Sequence, residues 1–296
     1  GRGVATPVDP RPRPSRKVED VPVTLVDAAS LDAFEVAIRN SISTAIDTET
    51  DYTPQAFVGP NAKPGALRVI SAATRNSNEV EQAWVLDIKA LDPLMVASIL
   101  SGTSADAWNA DFDARVLDRD LFEPAKKTRD DIQSISWWDA QLADALLHQG
   151  RTGFSFYHGL AWAVEWYLGL NAEGKGTTQL SYNEVDPLSN EQVLYAAADA
   201  VETLWVADEI RSRIEQAGLS EVCRLEQTAR PFLDHMERVG LPFDWPGWEE
   251  RLDQMEERRT QVSSDLARLT GGGQATLFSE TLEPSWNPGS ERQAKE

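Results

Sequence analysis

Cysteine is almost absent from this 296-residue chain: Cys223 is the only one, so no intrachain disulfide can form and a cysteine-built zinc cluster is excluded. Histidine is nearly as scarce. His148, His158 and His235 are scattered, without the spacing of a metal-binding pair. Long apolar runs are missing too. Nothing approaches the roughly 20 consecutive residues that span a bilayer, and the opening "GRGVATPVDPRPRPSRK" has no apolar centre of the kind a secretory leader carries. The expectation is a chain of the reducing cytoplasm, with no membrane partner. It begins without Met, which suggests processing or a longer parent. Basic residues are outnumbered: 28 Lys and Arg stand against 48 Asp and Glu, a net charge of −20. Overall charge therefore argues against non-specific adhesion to nucleic acid. It leaves open an acidic site that draws in cations.

What is present is enough for a core. Hydrophobic residues make up 41%, and the length allows one large domain or two smaller ones. After a proline-rich arm at 1–20, "VPVTLVD" reads as a strand. Ser30 reads as the cap of a helix "LDAFEVAIRN". "SISTAIDTE", "GALRVISAATR" and "QAWVLDI" read as three β-branched strands, and "ADAWNA" as a fourth after a helix near 92–101. Helices are expected over "FDARVLDRDL", "WWDAQLADALLHQG", "YHGLAWAVEWYLGL" and Asn190 to Ala217. Strands in succession, then alternating with helices, imply an α/β fold with a mixed sheet flanked by helices. From 219 the pattern changes to long amphipathic helices. The first should stop at Gly240, with Pro231 as a kink point. A polar, loop-like tail closes the chain.

Three acidic clusters need an account. "AIDTET" runs an apolar strand into Asp47 and Glu49. Burying such charges costs several kcal/mol each unless something positive sits among them. A divalent metal would neutralise them; a solvated strand end is the ordinary alternative. "WNADFDARVL" places Asp113 in the first turn of a helix, where a carboxylate also simply complements the dipole. "LYAAADA" places Tyr195 one turn before Asp199. A tyrosine on a helix face is ordinarily core.

Taken together and in this order, Asp47-x-Glu49, Asn109-x-x-x-Asp113 and Tyr195-x-x-x-Asp199 resemble the DEDD family of 3′–5′ exonucleases. Tyrosine marks the tyrosine subclass. The histidine subclass places His five residues before the last Asp, where this chain has Leu194. "PLSNEQ" before "YAAADA" resembles the approach to the third motif in proofreading domains and in ribonuclease D relatives. "LEQTARPFLDHMERVGLPFD" and "WNPGSERQ" resemble the segment that joins the proofreading exonuclease to the polymerase in family A DNA polymerases; no polymerase catalytic motif follows. The resemblance implies a ribonuclease H-like exonuclease domain over 21–218. Residues 219–296 would be a helical connector and the start of a polymerase thumb. It implies two divalent ions, Mg²⁺ or Mn²⁺, held by Asp47, Glu49, Asp113 and Asp199, with Tyr195 orienting the attacking water. Thr48, Asn109, Tyr52 and Lys175 are candidate substrate contacts, with Lys126, Lys127 and Arg129 as a possible phosphate track. The expected substrate is a single-stranded or frayed DNA 3′ end, with the polymerase part as partner. A ribonuclease D-like exoribonuclease is the alternative, and a silent exonuclease-fold scaffold a further one.

Overall fold

The computed structural model describes residues 17–51, 65–149, 158–171, 181–182, 187–240, 242–269, 273–274 and 283–284. Tyr52, Lys175 and the stretch "WNPGSERQ" lie outside them. The strands are β1 (Val23–Val26), β2 (Ser41–Thr50), β3 (Leu67–Asn76), β4 (Glu81–Asp87), β5 (Ser104–Ala107) and β6 (Ser136–Asp139). They form one mixed sheet in the order β1-β4-β3-β2-β5-β6. β2, β3 and β4 run as an antiparallel meander, and β1, β5 and β6 join in parallel. This is the expected mixed sheet of a ribonuclease H-like exonuclease fold.

Helices α1 (Leu31–Asn40), α2 (Pro93–Leu100), α3 (Ala110–Leu117) and α4 (Glu123–Lys126) accompany one face of the sheet. Phe34, Ile46, Ile70, Trp84, Leu86, Val116 and Leu117 share a core there. The other face is covered by α7 (Asn190–Gln216), after α5 (Ala140–His148) and the short α6 (Leu160–Ala163). On this side Ala45, Val69, Ala73 and Val85 meet Ala196, Ala197 and Ala200 of α7. Small side chains let the helix backbone come close to the sheet, and that closeness brings the third acidic motif onto β2. α7 starts on a capping box: Gln192 donates its backbone N–H to the Ser189 hydroxyl at 3.2 Å, and its side chain accepts from the Ser189 N–H at 2.9 Å.

Four expectations change. "SWWD" is the edge strand β6 rather than the start of a helix. Two adjacent tryptophans suit a pleated surface, and the helix begins only after Asp139, whose Oδ1 accepts from Leu142 N–H at 3.0 Å. "YHGLAWAVEWYLGL" is not one regular helix: α6 widens into a five-residue π turn at Val164–Leu168 and stops at left-handed Gly169. Ser30 does not cap α1 through its side chain, because its hydroxyl is turned onto Asp27 Oδ1 at 2.7 Å. The tail holds a two-residue antiparallel pair, β7 (Gly273–Gln274) with β8 (Glu283–Pro284).

The chain divides into two compact units, Gly1–His235 and Met236–Glu296. Helix α8 (Ser220–Val239) contains Pro231 without breaking and ends, as expected, at Gly240 with φ +70. Its first part belongs with the first unit: Gln227 brackets the Asp139 backbone at 2.8 and 2.9 Å, and Arg230 pairs with Asp111. The second unit is built on α9 (Trp245–Leu269), with an exposed, largely charged surface.

Arg75 ties three elements of the first unit together. Its guanidinium lies 2.6 Å from Asp208 on α7 and 2.7 Å from Glu81 on β4, with the arginine side chain only 8% exposed. Arg75→Met leaves two acids facing each other without their cation. Breaking a buried pair of this kind costs about 3 kcal/mol, or a fall in Tm of roughly 6–12 °C for a domain of this size. Thermal melting measures it; a fall of under about 2 °C would assign the packing of α7 on the sheet to apolar contacts alone.

Candidate active site

Period-two alternation along β2 sorts its side chains between the two faces. Ala45, Asp47 and Glu49 share the face toward α7, while Ile46 and Thr48 point toward α3. β2 is a central strand, paired with β3 through the acidic stretch and with β5 at Ala45, so its backbone fixes where the carboxylates stand. Glu49 is buried and Asp47 half-buried. α7 brings in Asp199, also buried. One carboxylate oxygen from each of Asp47, Glu49 and Asp199 lies within 4.8 Å of the others. Residues 152 positions apart in sequence therefore meet at one point.

Asp113 reaches β2 from the opposite face. Its Oδ1 accepts from the Thr48 backbone N–H at 2.9 Å and from the Thr48 hydroxyl at 2.6 Å. It stands outside the three-carboxylate group, bonded to Thr48, the residue between Asp47 and Glu49 on β2. Burial, only partly offset by the two Thr48 hydrogen bonds, pushes its carboxyl up to about 7. Thr48, a candidate substrate contact from its motif position, here holds the second-motif carboxylate.

Tyr195 lies one turn before Asp199 and hydrogen-bonds to it. Burial, then the charges of Asp199, Glu49 and Asp47, drive its phenol far above the ordinary value. It is therefore a neutral O–H donor at every working pH. Leu194, at the position of the histidine subclass, is 60% exposed and turned away. Asn109 is exposed at the N-terminus of α3 with φ +66, a left-handed conformation that asparagine tolerates better than most residues. Its side chain makes no cap.

Two contributors escape sequence reasoning. Asp139 caps α5 through one oxygen, while the other accepts from Ala110 N–H at 3.0 Å, so it also fixes the start of α3. Tyr182 is fully buried, donates to the Gln192 carbonyl at 2.9 Å, and its phenol is raised by burial first and then by the charge of Glu49. Neither residue belongs to a short motif, and only the Asp before a helical run hinted at Asp139. Among the basic candidates, Arg129 is paired with Asp131 at 2.6 Å and Lys126 donates to Ser134 at 3.0 Å.

An all-oxygen donor set of three close carboxylates, two of them buried, suits a hard divalent cation. Residues 22–215 match the family described as 3′–5′ exonuclease. The chain belongs to that family. No curated protein matches it. Among solved structures it is similar to *Trypanosoma brucei* RNase D in complex with RNA U12, at 16% identity and TM-score 0.57, covering 77% of this chain and 74% of that one. It is also similar to the *Aedes aegypti* Nibbler EXO domain, at 20% identity and TM-score 0.53, covering 69% and 95%. *Escherichia coli* RNase D, described as an exoribonuclease involved in structured RNA processing, matches at 20% identity and TM-score 0.50, covering 71% and 50%. At these identities the likeness is one of fold. Membership of the family implies a divalent metal.

Asp113 gives the site a pH signature in the absence of metal. Its folded pKa of about 7 lies above the ordinary 3.8. Between those values the folded chain holds a proton that the unfolded chain has released. The group's contribution to stability is therefore complete below about pH 4 and lost as pH rises through about 7. Asp113→Asn mimics the protonated acid and should stabilise the EDTA-treated protein at pH 8 by on the order of 2 kcal/mol, with little difference at pH 4. Melting curves of both proteins across that range test it; equal slopes would mean that Asp113 titrates as an ordinary carboxyl.

Proposed function

We propose that this exonuclease removes nucleotides from single-stranded 3′ ends, using two divalent ions, Mg²⁺ or Mn²⁺, held by Asp47, Glu49, Asp199 and Asp113. The convergence of the first three carboxylates on one point carries the reading. Two ions would polarise the scissile phosphate, ease deprotonation of the attacking water and stabilise the departing 3′ oxygen. Asp47, Glu49 and Asp199 each bring one carboxylate oxygen within 4.8 Å of the others. Asp113, held by Thr48, would hold the second ion mainly through water. Tyr195 keeps its proton, which it gives to Asp199, and would orient the water through the lone pairs of its hydroxyl oxygen rather than act as a base. Asn109, exposed at the start of α3, is proposed as a contact to the substrate backbone. Tyr52 and Lys175 stay as substrate contacts proposed on sequence alone.

For the sugar, the similarity to RNase D structures favours RNA, and we take a ribonuclease D-like exoribonuclease as the first reading. One observation favours DNA: the segment 225–244, with Glu226, Pro231, Met236, Glu237, Gly240 and Asp244, resembles the connector of family A DNA polymerases. On that second reading the chain is the proofreading part of such an enzyme.

The deciding experiment uses 5′-labelled single-stranded RNA and DNA of one sequence, with Mg²⁺, Mn²⁺ or EDTA. The expected result is a ladder shortening from the 3′ end with either metal, none in EDTA, and RNA consumed at least about tenfold faster, a difference of ~1.4 kcal/mol in barrier. Faster loss of DNA would establish the second reading, and intact strands in every lane would overturn both. Asp47→Ala should abolish cleavage together with any metal-induced rise in Tm. Tyr195→Phe should slow single-turnover cleavage roughly 10- to 1,000-fold while changing stability by less than about 1.5 kcal/mol. Wild-type speed in Tyr195→Phe would return the tyrosine to core packing.

A further inference from the structure

A buried polar cluster lies outside the carboxylate site and is not used by the mechanism above. Asp144 on α5 is fully buried. Its Oδ1 accepts from the Tyr167 hydroxyl at 2.6 Å, and its Oδ2 lies 2.7 Å from His158 Nδ1. His148, one turn along α5, places Nδ1 at 3.0 Å from both Asp144 Oδ1 and the Asp144 carbonyl. Burial raises the Asp144 carboxyl, but the hydrogen bonds from His148, Tyr167 and His158 outweigh it and hold the group below its ordinary range.

Asp144, His148 and His158 also present donor atoms within 4.8 Å of one another, a set that could take a transition metal ion. The local geometry favours hydrogen bonding instead. His148 Nδ1 faces a backbone carbonyl, which it can satisfy only as an N–H donor.

The cluster leads to the second motif. The His158 carbonyl accepts from Gln141 Nε2 at 2.8 Å and from Trp108 Nε1 at 3.2 Å. Trp162 stacks on the His158 ring at 3.6 Å and fixes its plane. Trp108 immediately precedes Asn109, whose left-handed backbone turns the chain from β5 into α3 and toward Asp113. A conformation of that kind persists only where its surroundings hold it.

We propose that Asp144 is a positioning residue for the second motif: through His158 it anchors Trp108, and with it the Asn109 turn and the start of the helix that carries Asp113. The inference rests on the exonuclease reading, in which Asp113 serves the metal site.

Two readouts test it, on the full chain. The first is solvent exchange of the Trp108 indole proton, followed by NMR. The second is the Mn²⁺ concentration that gives half-maximal cleavage. In Asp144→Asn the indole proton should exchange at least tenfold faster, and the Mn²⁺ requirement should rise at least threefold. His158→Ala should do the same, and His158→Gln, whose amide can still donate to Asp144, should recover part of both. If Asp144→Asn does not fold, His158→Ala breaks the same link at its other end and is read identically. A lowered Tm with unchanged indole exchange and unchanged Mn²⁺ requirement would reduce Asp144 to a structural group and overturn the proposal. So would a stoichiometric transition metal in the purified protein that Asp144→Asn loses. A wild-type chain that cleaves nothing sinks the exonuclease reading, and the indole exchange still decides whether Asp144 holds Trp108.

Discussion

Three carboxylates held within 4.8 Å of each other on a central strand and the helix above it are the constraint on which this structure turns. Their mutual repulsion, together with the cost of burying two of them, opposes folding. It is overcome locally by rigidity. β2 lies between β3 and β5, and its backbone fixes where Asp47 and Glu49 stand. α7 is pressed onto the sheet through alanines and cannot withdraw Asp199. The fold holds the charges ready for a cation and spends packing energy elsewhere to do so.

The second motif is built differently. Asp113 is held by hydrogen bonds. Thr48 grips it from the strand that carries the first motif, and Asp139 clamps the first free N–H of its helix. The alternation of β2 thus serves two motifs at once: odd residues supply carboxylates to one face, and the even residue between them tethers the fourth from the other face.

A net charge of −20 looks hostile to a polyanionic substrate. Among the described residues, several arginines are paired with the chain's own acids. Arg75 binds Asp208 and Glu81, Arg211 binds Asp106, Arg230 binds Asp111, and Arg115 binds Asp234. These cations hold the sheet, α7 and α8 together.

Most sheet strands were legible because β-branched and apolar runs bounded by turn residues have few other uses; the three motifs were legible only together, through an order and spacing that resemble the DEDD exonucleases. Local signals misled where two codes compete: "SWWD" has helical neighbours but a pleated preference, and Ser30 has a closer partner in Asp27 than the helix it precedes. The sequence by itself determined the element order, the residue types at the site and their period on each strand and helix. Only the tertiary structure decided that Asp199 joins Asp47 and Glu49 while Asp113 is held apart by Thr48, and that Asp139 and Tyr182 belong with them. Periodicity assigns a side chain to a face of its own element. Which faces meet, and at what register, depends on packing between segments more than a hundred residues apart.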